Sequence, residues 1–353
     1  MNAEPGRKPP GANGGLHPAV SLVTGGAGFI GSHVVDELLA AGHRVVALDD
    51  LSGGSRDNVN SQATFVEGSV CDRDLVEDLY SRYRFDYVFH LAAYAAEGLS
   101  HFIRTFNYTN NLVGSVTLMN AAVRYGCRCF VFTSSIAVYG TGQVPMDESM
   151  KPEPEDPYGI AKYAVELDLA AARRIFGLNY IVFRPHNVYG ERQNIGDKYR
   201  NVIGIFMNQA MQAAPCSVFG DGSQTRAFTH VADVAPTIAR SIEIPAAYNE
   251  IFNIGADTPY SVATLAEMVQ KAMGVETGIR FLDARNEVLH AHSTHEKAQR
   301  ILGYRPAVSL EQGLARMAEW AWVAGPRASK EFNAIEVDRG LPGSWVKQEC
   351  ITA

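Results

Sequence analysis

The sequence predicts an α/β fold: a doubly wound parallel sheet followed by a smaller C-terminal α/β domain. Three observations carry this. An apolar run, Val20 to Val23, ends in clustered glycines and passes into a helical pattern. Strand-like and helix-like stretches then alternate as far as residue 183, the grammar of parallel strands joined by crossover helices. Beyond Arg184 the pieces become shorter and irregular, and 353 residues suffice for two lobes.

The elements follow in order. Phe29, Ile30, Val34, Val35, Leu38 and Leu39 have helical spacing, and Gly42 can stop that helix. Arg44 to Leu48 and Thr64 to Glu67 read as strands, with Leu51 to Ser55 a loop between them. Asp72 to Tyr83 is an amphipathic helix, Asp86 to His90 a strand and about Thr105 to Tyr125 one long helix. Cys129 to Thr133 is the next strand. After a proline- and acid-rich loop, Asp156 caps a helix with Pro157 in its first turn; it runs to Phe176, where Gly177 ends it. Tyr180 to Phe183 is a strand, and Glu191 to Asn201 a loop. Later helices are expected at Val202–Gln212, Asp233–Ile242, Ser261–Met273, His295–Leu302 and Leu310–Trp322. Later strands are expected at Cys216–Phe219, Thr225–His230, Ile251–Ile254 and Ile279–Leu282. The expected organisation is a flexible tail at 1–18, a nucleotide domain at 19–185, a substrate domain at 186–324 and a tail at 325–353. The chain is expected to return to the first domain near 230–256.

The glycines have physical roles. Gly25, Gly28 and Gly31 are spaced G-x-x-G-x-x-G, and Gly26 overlays G-x-G-x-x-G. The first permits the turn, the second lets backbone approach a pyrophosphate, and the third lets the helix pack close to the strand. A helix N-terminus offers free N–H groups to phosphates. The second strand ends in Asp49-Asp50, with Asp49 18 residues after Gly31, near the spacing of an acid on the adenosine ribose. A carboxylate there repels a 2′-phosphate, so the pattern reads NAD over NADP. Leu91-Ala-Ala93, at a strand's carboxyl end, is small enough for a ligand to approach.

Composition narrows the classes. Hydrophobic content of 46% and charged content of 20% are ordinary for a globular protein. The net charge of -7 argues against nucleic-acid or membrane-surface binding, so an anionic ligand must be met by local arginines and backbone dipoles. No apolar run reaches bilayer length, and residues 1–18 contain no apolar segment of signal-peptide length. Cys71, Cys127, Cys129, Cys216 and Cys350 are an odd, scattered set, which suggests reduced thiols in a cytoplasm. No metal-ligand spacing occurs, and no metal is expected.

Tyr158 and Lys162 lie four apart at the start of a helix and share a face. An ammonium beside a phenol favours the phenolate, as does a nearby positive nicotinamide ring, and together they are expected to bring the tyrosine toward neutrality, where it acts as a base. Ser135, at a strand end, can hydrogen-bond the same substrate hydroxyl.

Together these residues resemble the extended short-chain dehydrogenase/reductase family. Thr24-Gly-Gly-Ala-Gly-Phe-Ile-Gly31, Thr133-Ser-Ser135, Tyr158…Lys162 and Arg184-Pro-His-Asn-Val-Tyr-Gly190 stand in the family's order, and the match spans about 19–322. Within the family the chain is most similar to the nucleotide-sugar 4-epimerases. Leu48-Asp-Asp-Leu-Ser-Gly-Gly54, Ser134-Ser-Ile-Ala-Val-Tyr-Gly140, Val218-Phe-Gly-Asp-Gly222, Arg226-Ala-Phe-Thr-His-Val-Ala-Asp233 and Phe252-Asn-Ile-Gly255 resemble their motifs. The resemblance implies a Rossmann-like fold in which Gly25, Gly28, Phe29, Ile30, Gly31, Asp49, Asp50, Ser69, Val70, Leu91, Ala92, Ala93, Asn110, Tyr158 and Lys162 bind NAD. It implies Ser135, Tyr158 and Lys162 as catalytic residues. It places Ala95, Glu97, Ser134, Ser135, His186, Asn187, Asn201, Val202, Phe219, Arg226 and Arg285 around a UDP-sugar, with both arginines on the diphosphate. Phe219 is also a core candidate, Arg285 a surface charge, Asp233 a helix cap and His90 a structural residue.

The chain departs from the pattern near the sugar. Ser69-Val70 stands where an acid is usual, Pro185-His186 replaces an aromatic pair, and Asn286-Glu-Val288 replaces a Gly-Asp pair. Tyr94-Ala-Ala-Glu-Gly98 is foreign to the galactose/glucose enzymes, and Ala291 stands near a position usually held by a larger residue. Glu97 and His186 are the odd polar residues there, with a structural role open for either. The reaction expected is 4-epimerisation through a transient 4-keto sugar, with UDP-glucose/UDP-galactose the default pair. A UDP-uronic acid 4-epimerase or decarboxylase, a 4,6-dehydratase and a non-catalytic NAD-binding regulator are the alternatives. Ile136-Ala137 disfavours dehydration, because the dehydratases carry Asp-Glu there. The helices at about 105–125 and 157–176 resemble those that pair in the family's homodimers.

Overall fold

The computed structural model describes residues 17–142, 144–284, 288–328, 332 and 334–345. β1 (Val20–Thr24), α1 (Phe29–Ala40), β2 (Arg44–Asp49), β3 (Thr64–Glu67), α2 (Arg73–Tyr83) and β4 (Tyr87–His90) open the chain. Then come α3 (Glu97–Ser100), α4 (Arg104–Tyr108), α5 (Gly114–Tyr125), β5 (Cys129–Thr133), α6 (Pro157–Phe176) and β6 (Tyr180–Pro185). The third stretch holds β7 (Val188–Tyr189), α7 (Val202–Met211), β8 (Cys216–Phe219), β9 (Thr225–Ala227), β10 (Thr229–His230), α8 (Val231–Arg240) and β11 (Glu250–Ile254). β12 (Pro259–Ser261), α9 (Val262–Met273), β13 (Ile279–Leu282), β14 (His290–Ala291), α10 (Glu296–Leu302) and α11 (Leu310–Ala324) complete it.

Seven strands form one parallel sheet in the order β11-β6-β5-β4-β1-β2-β3. Successive side chains point to opposite faces, so Leu22 joins one core and Val23 the other. α1 and α8 cover Val23, Val45 and Phe89; α2, α5 and α6 cover Leu22, Val46 and Phe130. Strand order reverses at β1, where β2 and β4 flank it, and a crevice opens at the carboxyl ends. A third core, with Phe206, Leu265 and Leu314, lies among α7, α9 and α11 beside three small sheets.

Three elements differ from the sequence reading. The long helix after β4 is interrupted by a π turn at Thr109–Val113, a widening common at functional sites. α8 starts at Val231, not Asp233: His230 Nδ1 accepts from Ala232 N at 3.2 Å and caps it. Asp233 instead accepts from Ala307 N and Val308 N, which ties α8 to the approach to α11. The Thr225–His230 stretch is two short strands in different sheets. Beyond α11, the described residues run back along the body, and Trp345 is buried.

A buried polar network joins the central elements. Arg184 of β6 grips Glu166 of α6 through Nε (3.0 Å) and Nη2 (2.5 Å), and both side chains are almost fully buried. Glu166 also accepts from Ser134 Oγ at 2.5 Å, and Arg184 Nη1 donates to Tyr139 Oη at 2.7 Å. Tyr139 in turn donates to Asn253 of β11 at 2.9 Å. Removing one member strands its partner without solvent. Arg184→Met should therefore cost roughly 3–5 kcal/mol, read as a lower urea midpoint, and adding Glu166→Leu should recover most of it.

Candidate active site

A cavity of about 750 Å³ runs along the carboxyl ends of the strands into the C-terminal region. Its first half is a glycine cradle. Gly25 has φ +70°, and a Cβ there would lie 2.9 Å from Ala92 N. A Cβ on Gly31 would lie 2.0 Å from Gly25 O, so α1 approaches the turn as only glycine allows. No side chain caps α1 after Gly28, and Phe29, Ile30 and Gly31 line the cavity with their first-turn amides open to an anion. Asp49 is buried at the end of β2; its carboxylate accepts from Ala27 N (3.0 Å) and Leu51 N (2.8 Å) and so locks the glycine turn to the next loop. Burial pushes its carboxyl above the usual range, against those amides. Asp50 lines the cavity and accepts from Ser52 N. The cradle thus fits a dinucleotide: room at the glycines, donors for phosphates and a carboxylate at the ribose position.

Val70, Leu91, Ala92, Ala93 and Asn110 also line this half. Ser69 does not: its Oγ accepts from Cys71 N, and its carbonyl from Asp72 N, so it is used up in its own turn.

The middle of the cavity holds Ser135, Tyr158 and Lys162. Asp156 caps α6 by accepting from Tyr158 N (2.9 Å) and Gly159 N (3.0 Å), which fixes the tyrosine in the first turn. A Cβ on Gly159 would lie 2.6 Å from Ala137 O, so the glycine lets α6 press against the turn after β5 and brings Tyr158 to Ser135. Lys162 Nζ donates to Thr133 O at 2.7 Å and lies 5.8 Å from the Tyr158 ring centre. Burial pushes Lys162 down to about 7. The expected fall of the tyrosine toward neutrality does not occur in the protein alone. Burial is the largest influence and raises Tyr158 well above its ordinary value, while a hydrogen bond with Ser135 and the charge of Arg200 oppose it. Ser135 Oγ also accepts from Ala137 N at 3.1 Å.

The far half is lined by Ala95, Glu97, His186, Asn187, Asn201, Val202, Phe219 and Arg226. Asn187 and Asn201 have φ of 40° and 64°, a region asparagine tolerates. Asn201 makes no side-chain cap on α7, so the amides that start that helix are open to an anion. Arg226 donates to the carbonyls of Val288 (2.6 Å) and Leu289 (3.1 Å) beside the cavity. Ser134 borders the cavity, and its hydroxyl donates to Glu166 in the buried network. Arg285 lies outside the described residues, as do Asn286 and Glu287.

His186 has a buried partner that the sequence did not reveal. Its ring stacks on His295 at 5.3 Å, with Nε2 to Nε2 3.1 Å, and His295 Nδ1 meets Asp257 at 2.6 Å. Burial and His295 push His186 down to about 3, so it is neutral. Its Nδ1 faces the Ala227 carbonyl at 3.2 Å and holds the proton. His90 is structural, as read: it bridges Thr24 and Ser115 at 2.7 Å each and is neutral, pushed down to about 3. Arg200 is among the lining residues that sequence reasoning missed. It pairs with Asp197 at 2.7 Å and stacks over Tyr94. Among the described residues no cluster of three His, Cys, Asp or Glu stands close enough to hold a metal, and no helix is long and apolar enough to cross a membrane.

Comparison with known proteins agrees with this geometry. Residues 21–255 match the model of the NAD dependent epimerase/dehydratase family. A UDP-glucose 4-epimerase of Mycolicibacterium smegmatis is 36% identical over 308 residues, 85% of this chain and 97% of its own. The crystal structure of a UDP-glucose 4-epimerase from Thermotoga maritima, with UDP-glucose, superposes with a TM-score of 0.82 at 37% identity, covering 85% of this chain and 98% of that one. A UDP-glucuronic acid 4-epimerase from Bacillus cereus, in complex with UDP-glucuronic acid and NAD, has a TM-score of 0.79 at 28% identity, with coverage of 85% and 98%. About one seventh of this chain thus lies outside what these relatives match. The glycine cradle, the seven-stranded sheet and the family match over 21–255 together show that the chain belongs to the NAD dependent epimerase/dehydratase family, among the extended short-chain dehydrogenase/reductases.

Proposed function

We propose that the chain is a nucleotide-sugar 4-epimerase, with UDP-glucose and UDP-galactose its default pair. NAD is the cofactor. The observation that carries the reading is the meeting of Ser135, Tyr158 and Lys162 midway along one cavity, between the glycine cradle and the half lined by Asn187 and Arg226. Similarity to UDP-glucose 4-epimerases supports the substrate pair.

Bound NAD supplies a reversible hydride acceptor, so oxidation at the sugar C4 and return of hydride to the opposite face leave no net redox change. On this reading Tyr158 takes the proton of the sugar 4-hydroxyl and gives it back. Ser135 hydrogen-bonds the same oxygen. On the same reading a Lys162 ammonium beside the phenol favours the phenolate. The α7 amides and Arg226 neutralise the diphosphate on a chain of net charge -7. Ala95 and Ala291 leave room for a 4-keto sugar to turn. Ile136 and Ala137 offer no acid for eliminating water.

We infer a homodimer through the outer faces of α5 and α6. Val113 (53% exposed), Ile160 (40%) and Leu167 (55%) supply an apolar surface there. Among the described residues the four cysteines are free thiols, three of them buried, which supports a reducing compartment.

Purified protein without added NAD should interconvert a C4 pair from a panel of UDP-sugars at constant mass. Loss of water or carbon dioxide instead would transfer the assignment to a dehydratase or decarboxylase. Tyr158→Phe should lower turnover by roughly 10²–10⁴-fold with the circular dichroism spectrum unchanged; full activity would sink the assignment. Lys162 also gives a pH prediction. Its folded pKa, about 7, lies below the ordinary 10.5, so the unfolded chain binds the extra proton between those values. The burial cost is present in full below about pH 7 and fades toward pH 10.5. In cofactor-stripped protein, the stability gained by Lys162→Met over wild type should shrink as pH rises across that window, measured by urea unfolding.

A further inference from the structure

The folded body from β1 to α11 is about as long as the 85% of the chain that the relatives match, and further chain follows α11. Its described residues are not loosely attached. Arg327 and Asn208 exchange two hydrogen bonds of 2.9 Å, backbone to side chain in each direction. Phe332 N donates to Tyr199 Oη at 3.3 Å, and its ring lies 4.9 Å from Phe106 and 5.4 Å from Tyr94. The N–H groups of Glu336 and Val337 both donate to Phe102 O. The Glu336 carboxylate accepts from Thr105 N (2.7 Å) and Phe106 N (2.8 Å), at the first turn of α4. The segment is a strap tied down by backbone, carboxylate and aromatic contacts.

The last described residue of the strap, Trp345, is buried yet lines the cavity. Its ring lies 5.3 Å from Tyr199 and 6.3 Å from Phe102, both nearly edge-on. Cη2 stands 3.3 Å from where a Cβ on Gly98 would be, so the glycine makes room for the indole. Gly98 follows Glu97, whose charge reaches Tyr158, as does that of Arg200 from across the cavity. The indole therefore lines the cavity beside Gly98, next to Glu97.

We propose that Trp345 is a wall of the sugar subsite, and that the strap selects the hexose by offering an aromatic face to its C–H surface. This rests on the nucleotide-sugar reading above. Hexoses carry apolar C–H faces, and a tryptophan ring supplies a large, rigid surface for them at little entropic cost. On this proposal the contribution falls on the sugar and not on the nucleotide.

The test is titration calorimetry on the full chain with its cofactor, using UDP, UDP-glucose, UDP-galactose and UDP-glucuronic acid. Trp345→Ala should weaken the best-bound UDP-sugar roughly tenfold and leave UDP within about twofold. Trp345→Phe, which keeps a ring, should restore the UDP-sugar to within about threefold of wild type. Unchanged UDP-sugar affinity in Trp345→Ala would overturn the inference and leave the nucleotide-sugar reading standing. Equal weakening of UDP and UDP-sugar would overturn it too, because the strap would then act only through the fold. Failure of the wild type to bind UDP or any UDP-sugar would overturn both.

Discussion

The bidentate pair between Arg184 and Glu166 is the constraint on which the central region depends. It is expensive: both groups leave water, and only mutual hydrogen bonds offset that. What it secures is register. Glu166 lies one turn beyond Lys162 on α6, Arg184 belongs to β6, and the attached Ser134, Tyr139 and Asn253 belong to the end of β5, the turn after it and β11. Five segments converge on one charge pair, and a shift of α6 along its axis would break several charge-assisted bonds at once. Asp156 sets where α6 begins, and Glu166 sets how it lies on the sheet.

The second governing fact is dryness. Burial moves every perturbed group around the catalytic pair toward its neutral form: Lys162 and His90 down, Tyr158 up. A site that disfavours charge so uniformly is one in which any charge brought by a ligand acts at long range and with little screening. The same low polarity explains why His186 needs both the Ala227 carbonyl and a second histidine.

What could be read from the sequence was local. The glycine turn, the alternation of strand and helix, the Asp156-Pro157 start and the Tyr158–Lys162 spacing are each set within a few residues, where backbone sterics and helical period leave few choices. The π turn escaped because the apolar period continues through it. Asp233 was misplaced because it occupies helix N3 and bonds a segment more than seventy residues away. Ser134 and Ser69 looked like site residues by position, but tertiary partners or a local turn claimed their hydroxyls. Arg200 escaped because its site is assembled from long-range contacts to Tyr94, within a loop that has no period of its own. His295 was placed at a helix start with no hint of His186, and the strap was read as a tail, because pairing over such separations leaves no local trace.

α6 presents two faces. Tyr158, Lys162 and Glu166 are buried on the inner side, whereas Ile160 and Leu167 stand out on the other. Ile160 lies between the tyrosine and the lysine in sequence, so the outward ridge begins at the same helical turn as the chemistry. A helix is stiff along its axis, and this one has no glycine or proline after its first turn at which to hinge. Anything seated on the outer ridge would thus bear on the same stiff helix that carries Tyr158 and Lys162 into the cavity.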